Sequence, residues 1–169
     1  LLFITRIENG TMQLNLQPEM IEDIFREAIH HLGRNKRNHN ISMHLEDDLL
    51  MANMDARLII QVLVNLINNA IKYTPENSNI SLNARRVEDK ILIEVQDDGN
   101  GVLHPDQLFE MFYTENNRGG DTRRGMGLGL SLCKSIIQSH GGTIWVENVT
   151  PHGACFKFVL DAVEVKLYE

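Results

Sequence analysis

The stretch QVLVNLINNAIKYTP, which runs from Gln61 to Pro75, combines a helical core pattern with polar residues that a buried helix does not need. Its apolar residues recur three and four positions apart, as on the core face of an amphipathic helix. Asparagine is a weak helix former, yet two asparagines stand four residues apart, near an amide and a lysine. The stretch therefore predicts one buried helix with a polar ridge formed by Gln61, Asn65, Asn69 and Lys72.

The polar ridge has two interpretations. Amide oxygens are ligands for a hard cation and a lysine ammonium pairs with phosphate, so the ridge fits a site for a metal-bound phosphate. A stripe that simply faces solvent would show the same pattern. We expect the helix to begin after Asp55, as its N-cap, and to end before Pro75, which restricts the backbone of Thr74.

The segments around this helix alternate as strands do. Period-two patterns predict strands in MQLNLQP, in ISMHLE, in two runs of NISLNARRVEDKILIEVQD joined at Glu88-Asp89, in TIWVENV and in GACFKFVL. Helical spacing predicts further helices from Glu19 to about Leu32, in PDQLFEMF, and after Gly129. No βαβ rhythm repeats, so we expect a two-layer α/β sandwich with a mixed, largely antiparallel sheet and helices packed on one face.

A carboxylate stands where the buried face of a strand continues. In ILIEVQDDGNG the apolar residues alternate toward the core, and Asp97 is next in their register. A buried carboxylate needs a partner, and the amine of a ligand would serve as one. Gly99 and Gly101 would then let a flat group approach the backbone. A plain Asp-Gly turn is the alternative.

Three alternating glycines, Gly125, Gly127 and Gly129, stand directly before a helical pattern and after a polar segment that resembles a lid. Backbone N–H groups at a helix N-terminus bind anions, which is one reason for such glycines. A tight loop packed against a neighbour is the other. The spacing matches neither the GxGxxG dinucleotide motif nor a P-loop.

Composition limits the kind of partner. The 169 residues carry a formal net charge of -7, which disfavours nucleic acid and anionic membrane surfaces. No apolar run approaches the length of a membrane span, so we expect a segment that is not inserted in a membrane. The two cysteines form no CxxC pair and favour a reducing, cytoplasmic compartment.

Taken in order, these segments resemble the ATP-binding domain of sensor histidine kinases, within the superfamily shared with gyrase, the ninety-kilodalton heat-shock chaperones and mismatch-repair ATPases. NLINNAIKYTP resembles the N box of that family, DDGNGV the first glycine box, LFEMFY the F box and GMGLGL the second glycine box. The resemblance runs from about Asn9 to Leu160 and implies a Bergerat-type fold. The ending HGACF is similar to that of potassium-responsive sensors of the KdpD type.

The resemblance implies a site for ATP and Mg²⁺. Asn69 would bind the metal, and Asn65 and Gln61, as catalytic residues, would position the γ-phosphate and the incoming nucleophile. Gyrase-type relatives usually carry a glutamate, which activates water, at the Gln61 position and an aspartate near Lys72, so this site is of the kinase kind.

The other cofactor contacts follow from the same resemblance. Lys72 and Tyr73 would reach phosphate and ribose, and Asp97 would accept the exocyclic N–H of adenine. The remaining implied cofactor-binding residues are Gly99, Gly101 and Val102 beside the base, Tyr113 of the F box, Arg124 of the lid, and Gly125, Met126, Gly127, Leu128, Gly129 and Leu130 around the phosphates.

In such kinases the phosphoryl acceptor is a histidine on a separate dimerising helix, in a stretch like HELRTPL, and nothing here matches it. We therefore expect residues 1–10 to be the remnant of that dimerisation helix and its linker, and residues 11–169 to be the ATP-binding kinase domain. The implied partners are the phosphoacceptor domain of the same sensor and a response regulator. The full-length protein would be a homodimeric, membrane-bound sensor with this part in the cytosol.

Two alternatives remain at this stage. Thr114 stands where the F box usually continues with an arginine that stabilises the transferring phosphoryl group, which favours a regulatory ATP-sensing module with little kinase activity. Arg118, Arg123 or Arg124 could replace that arginine. An ATP-gated clamp like the chaperones is the other alternative, and Gln61 and Lys72 disfavour it.

Overall fold

The computed structural model describes residues 13–36, 38–110, 113 and 129–163. The elements are β1 (Gln17–Met20), α1 (Ile21–Leu32), β2 (Asn40–Leu45), β3 (Met51–Met54), α2 (Ala56–Lys72), β4 (Asn79–Val87), β5 (Lys90–Asp97), α3 (Gly129–Ser139), β6 (Ile144–Asn148) and β7 (Ala154–Asp161), with a single 3₁₀ turn at Gly33–Lys36. The predicted remnant at residues 1–10 and the predicted lid, from Thr114 to about Gly125, lie outside the described residues.

Five strands form the main sheet, in the order β2-β4-β5-β7-β6. β2 runs parallel to β4, and each other neighbouring pair is antiparallel. The predicted mixed, largely antiparallel sheet is therefore confirmed. The hairpin between β4 and β5 turns at Glu88-Asp89, as the sequence predicts, and Glu88 has a positive φ of 57° there.

Helices and sheet share one core. The inward residues of β5, which are Ile91, Ile93 and Val95, are buried against the helices. α2 contacts both α1 and α3, and it buries the predicted apolar face of Val62, Leu63, Leu66, Ile67, Ala70 and Ile71. This central position explains why α2 can place functional side chains next to both the sheet and α3. In the described part of the chain, no helix is both long and apolar enough to cross a bilayer.

The start of the chain differs from the prediction. The first strand is Gln17–Met20 rather than residues 12–18, and α1 begins at Ile21 rather than Glu19. β1 pairs with β3, a four-residue strand that the sequence analysis missed, in a separate two-stranded sheet. A strand this short has too few alternating positions to be recognised without its partner.

The helix predicted in PDQLFEMF is wrong for the residues that are described. The chain from 105 to 110 consists of turns, in which the Gln107 N–H donates to the His104 carbonyl and the Glu110 N–H to the Gln107 carbonyl. The adjacent Leu108 and Phe109 both enter the core. Both hydrogen bonds join residues three apart, which is the spacing of successive turns, whereas an α-helix joins residues four apart.

Asp55 precedes α2, as predicted, but its carboxylate does not cap the helix. The Asp55 Oδ2 instead accepts from the backbone N–H of Asn15 at 3.1 Å and from Arg57 at 3.3 Å. Desolvation, the largest influence, raises the pKa of Asp55, but these bonds together outweigh it and leave the pKa below its usual value. The residue therefore connects the segment before β1 to the start of α2.

Candidate functional site

α2 contacts both the first glycine box and the helix that follows the second glycine box. The first glycine box contacts its end, since a Cβ atom placed on Gly99 would lie 2.8 Å from Thr74 Cγ2. The helix that follows the second glycine box contacts its middle, because Cys133 Sγ of α3 lies 3.8 Å from the Val62 carbonyl. The structure thus brings α2, which carries the N box, next to the first glycine box and to the helix that follows the second.

Asp97 is buried at the end of β5, with 3% of its surface exposed. Its Oδ1 accepts the N–H of Gly99 at 2.9 Å and the N–H of Ala154, on β7, at 3.2 Å. The bond to Gly99 is the local Asx geometry of an Asp-Gly turn, so that alternative describes the backbone correctly. Deep burial and the cross-strand bond go beyond a plain turn, since they fix the orientation of a carboxylate inside the fold.

The two glycines after Asp97 are required by packing within the chain. A Cβ at Gly99 would crowd Thr74, and a Cβ at Gly101 would lie 2.6 Å from Asn148 Oδ1. This physical reason was not part of the sequence prediction, which attributed both glycines to the approach of a flat ligand. Val102, the next predicted base-lining residue, is buried.

Thr74 connects α2 to a buried histidine that the sequence analysis did not identify as important. Its hydroxyl donates to the Ala70 carbonyl at 2.7 Å and therefore accepts from His39 Nε2, also at 2.7 Å. Both side chains are buried. Because Thr74 also lies against Gly99, this bond supports the backbone next to Asp97. No sequence pattern around His39 indicates this contact.

The residues of the predicted polar ridge follow one another along α2 and differ in their exposure to solvent. Gln61 is exposed, whereas Asn65, Asn69 and Lys72 are half-buried. Asn69 Nδ2 is buried and has no hydrogen-bond partner among the residues the structure describes. A buried amide without a partner is costly, so its position suits a ligand that supplies one.

Asn65 is held by α3. Its side chain hydrogen-bonds the Cys133 thiol, and burial, the dominant influence, raises the pKa of that thiol to about 12. Cys133 is therefore a neutral group that packs and orients, not a nucleophile. At the end of the ridge, the Lys72 ammonium lies 5.0 Å from the centre of the Tyr73 ring, a cation–π distance.

The remaining predicted residues are distributed around this centre. Tyr113 is half-buried and its ring meets His104 edge to face at 6.5 Å. Gly129 begins α3 and Leu130 packs against the core. Arg124, Gly125, Met126, Gly127 and Leu128 lie outside the described residues, so their predicted phosphate contacts stay predictions.

The protein side chains at this site could hold Mg²⁺ only if a bound nucleotide and water supplied most of its ligands. An asparagine amide oxygen is a suitable ligand for Mg²⁺. The partnerless atom of Asn69 is the Nδ2 donor, which suits an oxygen of a phosphate beside the ion rather than the ion itself. The described residues contain no group of three or more His, Cys, Asp or Glu side chains arranged to hold a metal. This arrangement fits an ion that takes most of its ligands from phosphate and water, as Mg²⁺ does in nucleotide sites.

Comparison with known proteins identifies sensor kinases among the relatives of this chain. The "Sensor protein KdpD" of Clostridium acetobutylicum is 35% identical over 160 residues, which are 94% of this chain and 18% of that protein. The catalytic domain of the histidine kinase ThkA, in a nucleotide-free form, superposes with a TM-score of 0.76 at 29% identity, covering 88% of this chain and 98% of that one. A structure of ThkA in complex with the response regulator protein TrrA also matches, with a TM-score of 0.75 at 25% identity, covering 96% of this chain and 47% of that one.

The chain spans less than half the length of the curated relatives it matches. These relatives confirm the predicted resemblance to the ATP-binding domain of sensor kinases and the predicted fold. Residues 54–164 match the family model described as "Histidine kinase-, DNA gyrase B-, and HSP90-like ATPase". The chain therefore belongs to the family of histidine kinase-, DNA gyrase B- and HSP90-like ATPases.

Proposed function

We propose that this chain binds ATP together with Mg²⁺ and, as part of a longer sensor kinase, donates the γ-phosphoryl group to a histidine on a separate dimerisation domain. One observation carries the proposal: a buried carboxylate, Asp97, is held by two backbone N–H groups beside the end of the α2 ridge. Family membership and the sensor-kinase relatives support the reaction.

The adenine end of the site depends on Asp97. A carboxylate accepts a hydrogen bond from the exocyclic amine of adenine, whereas guanine presents a carbonyl oxygen at the same position. Mispairing of a buried polar group costs about 1–3 kcal/mol, so adenine is preferred. The bonds from Gly99 and Ala154 hold the carboxylate in place before the base arrives, which reduces the entropy lost on binding.

The phosphate end depends on the α2 ridge. Mg²⁺, when bound, would neutralise charge on the phosphates, and the Asn69 amide would hold it. Asn65, oriented by Cys133, and Gln61 would position the γ-phosphate and the incoming imidazole. Lys72 would add positive charge. Gln61 is no general base for water, so the ridge favours transfer to the histidine over hydrolysis.

The wider assignment follows the relatives. The proposed partners are the phosphoacceptor domain of the same sensor and a response regulator, as ThkA is seen with TrrA. We propose a homodimeric full-length sensor with this domain on the cytosolic side of a membrane.

The test compares two adjacent aspartates. Asp97→Asn keeps an Oδ1 that accepts from Gly99 and Ala154 but loses the carboxylate, whereas Asp98→Asn makes the same chemical change at a residue that bonds Asn79 near the surface. Calorimetry with ADP and GDP measures binding. Incubation with labelled ATP and a separately supplied dimerisation domain then measures phosphoryl transfer to the histidine.

We expect the unchanged chain and Asp98→Asn to bind ADP more tightly than GDP and to label the histidine. Asp97→Asn should lose roughly 10–100-fold in ADP affinity while remaining folded by circular dichroism. Equal affinity for ADP and GDP would contradict the adenine assignment. Nucleotide binding without label on the histidine would favour the alternative of a regulatory ATP-sensing module. Release of phosphate to water would favour the alternative of an ATP-gated clamp.

A further inference from the structure

We propose that Asn148 is a positioning residue for the adenine pocket, and that the hairpin end from Asn148 to Ala154 sets the selectivity for the base. The proposal rests on the proposed function, because Asp97 and Val102 line a base only if ATP binds there. Asn148 lies outside the four sequence boxes and would not itself touch the nucleotide.

The side-chain amide of Asn148 binds both backbone polar groups of Val102. Its Oδ1 accepts the Val102 N–H at 2.7 Å, and its Nδ2 donates to the Val102 carbonyl at 3.0 Å. Backbone groups of neighbouring strands bond in this reciprocal way, so the amide acts as a sheet partner for a residue beyond the end of β5. Two bonds in opposite directions fix the position and the rotation of the Val102 backbone, and with them the direction of its buried side chain.

The space for this contact depends on the residue before Val102. Gly101 lies directly against the amide, since a Cβ there would come within 2.6 Å of Asn148 Oδ1 and 3.2 Å of the Gly153 carbonyl. The absence of a side chain at Gly101 therefore allows the first glycine box to lie directly against Asn148 and Gly153. It gives Gly101 a role toward Asn148 as well as its predicted role toward the base.

The same hairpin end also holds Asp97. Asn148 and Ala154 are paired across β6 and β7, and the turn between them is closed by the Val149 N–H, which donates to the Gly153 carbonyl at 2.9 Å. The Ala154 N–H donates to Asp97 Oδ1 at 3.2 Å. One hairpin end therefore sets the spacing between the proposed hydrogen-bond acceptor and the proposed apolar wall.

That spacing decides which base fits. Adenine must place its exocyclic amine on the Asp97 carboxylate and its ring against Val102 at the same time. Displacement of Val102 should therefore lower the affinity for adenine more than the affinity for guanine. The effect of removing the Asn148 amide should therefore appear as lost discrimination between adenine and guanine. A purely structural role would instead lower thermal stability and weaken both nucleotides by the same factor.

The test uses two variants of Asn148 and a matched asparagine. Asn148→Ala removes both bonds to Val102. Asn148→Asp keeps the size of the side chain and the acceptor for the Val102 N–H, but places an oxygen against the Val102 carbonyl. Asn83→Ala is the control. Asn83 lies on β4, and its Nδ2 donates to Ser81 Oγ at 3.2 Å, so this variant loses an asparagine side chain that makes no bond to Val102. Affinities for ADP and GDP are measured by calorimetry, and exchange of the Val102 amide hydrogen by NMR without nucleotide.

We expect Asn148→Ala to speed exchange of the Val102 amide and to reduce the ratio of ADP to GDP affinity by roughly threefold to tenfold. Asn148→Asp should keep that amide protected but still reduce the ratio, whereas Asn83→Ala should leave the ratio unchanged. An unchanged ratio in both Asn148 variants, with the unchanged chain preferring ADP, would overturn this inference alone. A chain that binds no ADP at all would overturn the proposed function, and the inference with it.

Discussion

At the scale of single residues, glycine positions show how tightly the chain is packed around Asp97. Gly153 has a φ of +120°, and a Cβ there would lie 2.3 Å from the Asp97 carbonyl oxygen. Gly33, at the end of α1, has a φ of +54° but no atom within 4 Å of the same position. The first glycine is required by conformation and by space, and the second by conformation alone.

This difference predicts a graded loss of stability. Gly33→Ala should cost about 1–2 kcal/mol in the free energy of unfolding, because an L side chain is strained at that φ. Gly153→Ala should cost more, since the backbone carrying Asp97 must also move, and it should weaken ADP binding while Gly33→Ala does not. Urea denaturation and calorimetry on the two variants measure both effects. Equal costs in the two variants would mean that the contact with Asp97 relaxes freely.

At the scale of secondary-structure elements, a buried histidine joins the end of α3 to the start of α2. The His140 Nδ1–H donates to the Ile136 carbonyl at 2.8 Å, so Nε2 carries the lone pair that accepts the Asp55 N–H at 3.0 Å. Burial lowers the pKa of His140, although the bond to Ile136 and the charge of Asp55 act in the opposite direction. A proton on Nε2 would place two donors against each other.

Stability should therefore fall as the solution is acidified. Since the pKa of His140 is lower in the folded chain than the ordinary value of about 6.5 in the unfolded chain, the unfolded chain binds more protons below that pH. The contribution of neutral His140 is complete above about pH 6.5 and is lost as pH falls toward the folded pKa. We expect His140→Gln to be less stable at pH 7 but to show a weaker loss between pH 7 and pH 5.

Chemical denaturation at several pH values measures this slope. His44→Gln is the control, because His44 is exposed on β2 and its replacement should keep the slope of the unchanged chain. A slope that persists in His140→Gln would assign the pH dependence to other groups.

The elements also show what the sequence could and could not predict. The α2 face, the β4–β5 hairpin and the burial of Asp97 follow from local periodicity, so the sequence predicts them correctly. β3 and the hydrogen bonds made by His39 and Asn148 depend on partners 31 or more residues away, and no local pattern contains that information. The helix predicted in PDQLFEMF is wrong for its described residues because adjacent buried residues, such as Leu108 and Phe109, occur in turns as well as on a helical face.

At the scale of the whole molecule, the two cysteines lie on opposite faces of the main sheet. Cys133 lies in the core between α2 and α3. Cys155 belongs to the face away from the helices, where its thiol contacts Glu94 Oε2 at 3.3 Å beside the Glu94–Lys157–Glu147 ion pairs. Burial, reinforced by the Glu94 carboxylate, raises the pKa of Cys155 to about 12, and burial alone does so for Cys133.

Both thiols should therefore be inert in the folded chain. At pH 8 we expect reaction with a disulfide reagent on the order of a thousandfold slower than in guanidinium chloride, because the reactive thiolate is scarce and enclosed. The variants Cys133→Ser and Cys155→Ser assign the signal to each residue. Fast reaction of either thiol in the native chain would show that its side of the sheet opens without global unfolding.

The strand order of the main sheet has a consequence for synthesis on the ribosome. β7, the last strand of the described chain, lies between β5 and β6, so the edge of β5 has no permanent partner until β7 has emerged. During that interval a nascent chain exposes an unpaired strand edge to its neighbours, which is a hazard for aggregation. The same strand brings the Ala154 N–H to Asp97, so a growing chain holds this buried carboxylate in its final position only after β7 has emerged.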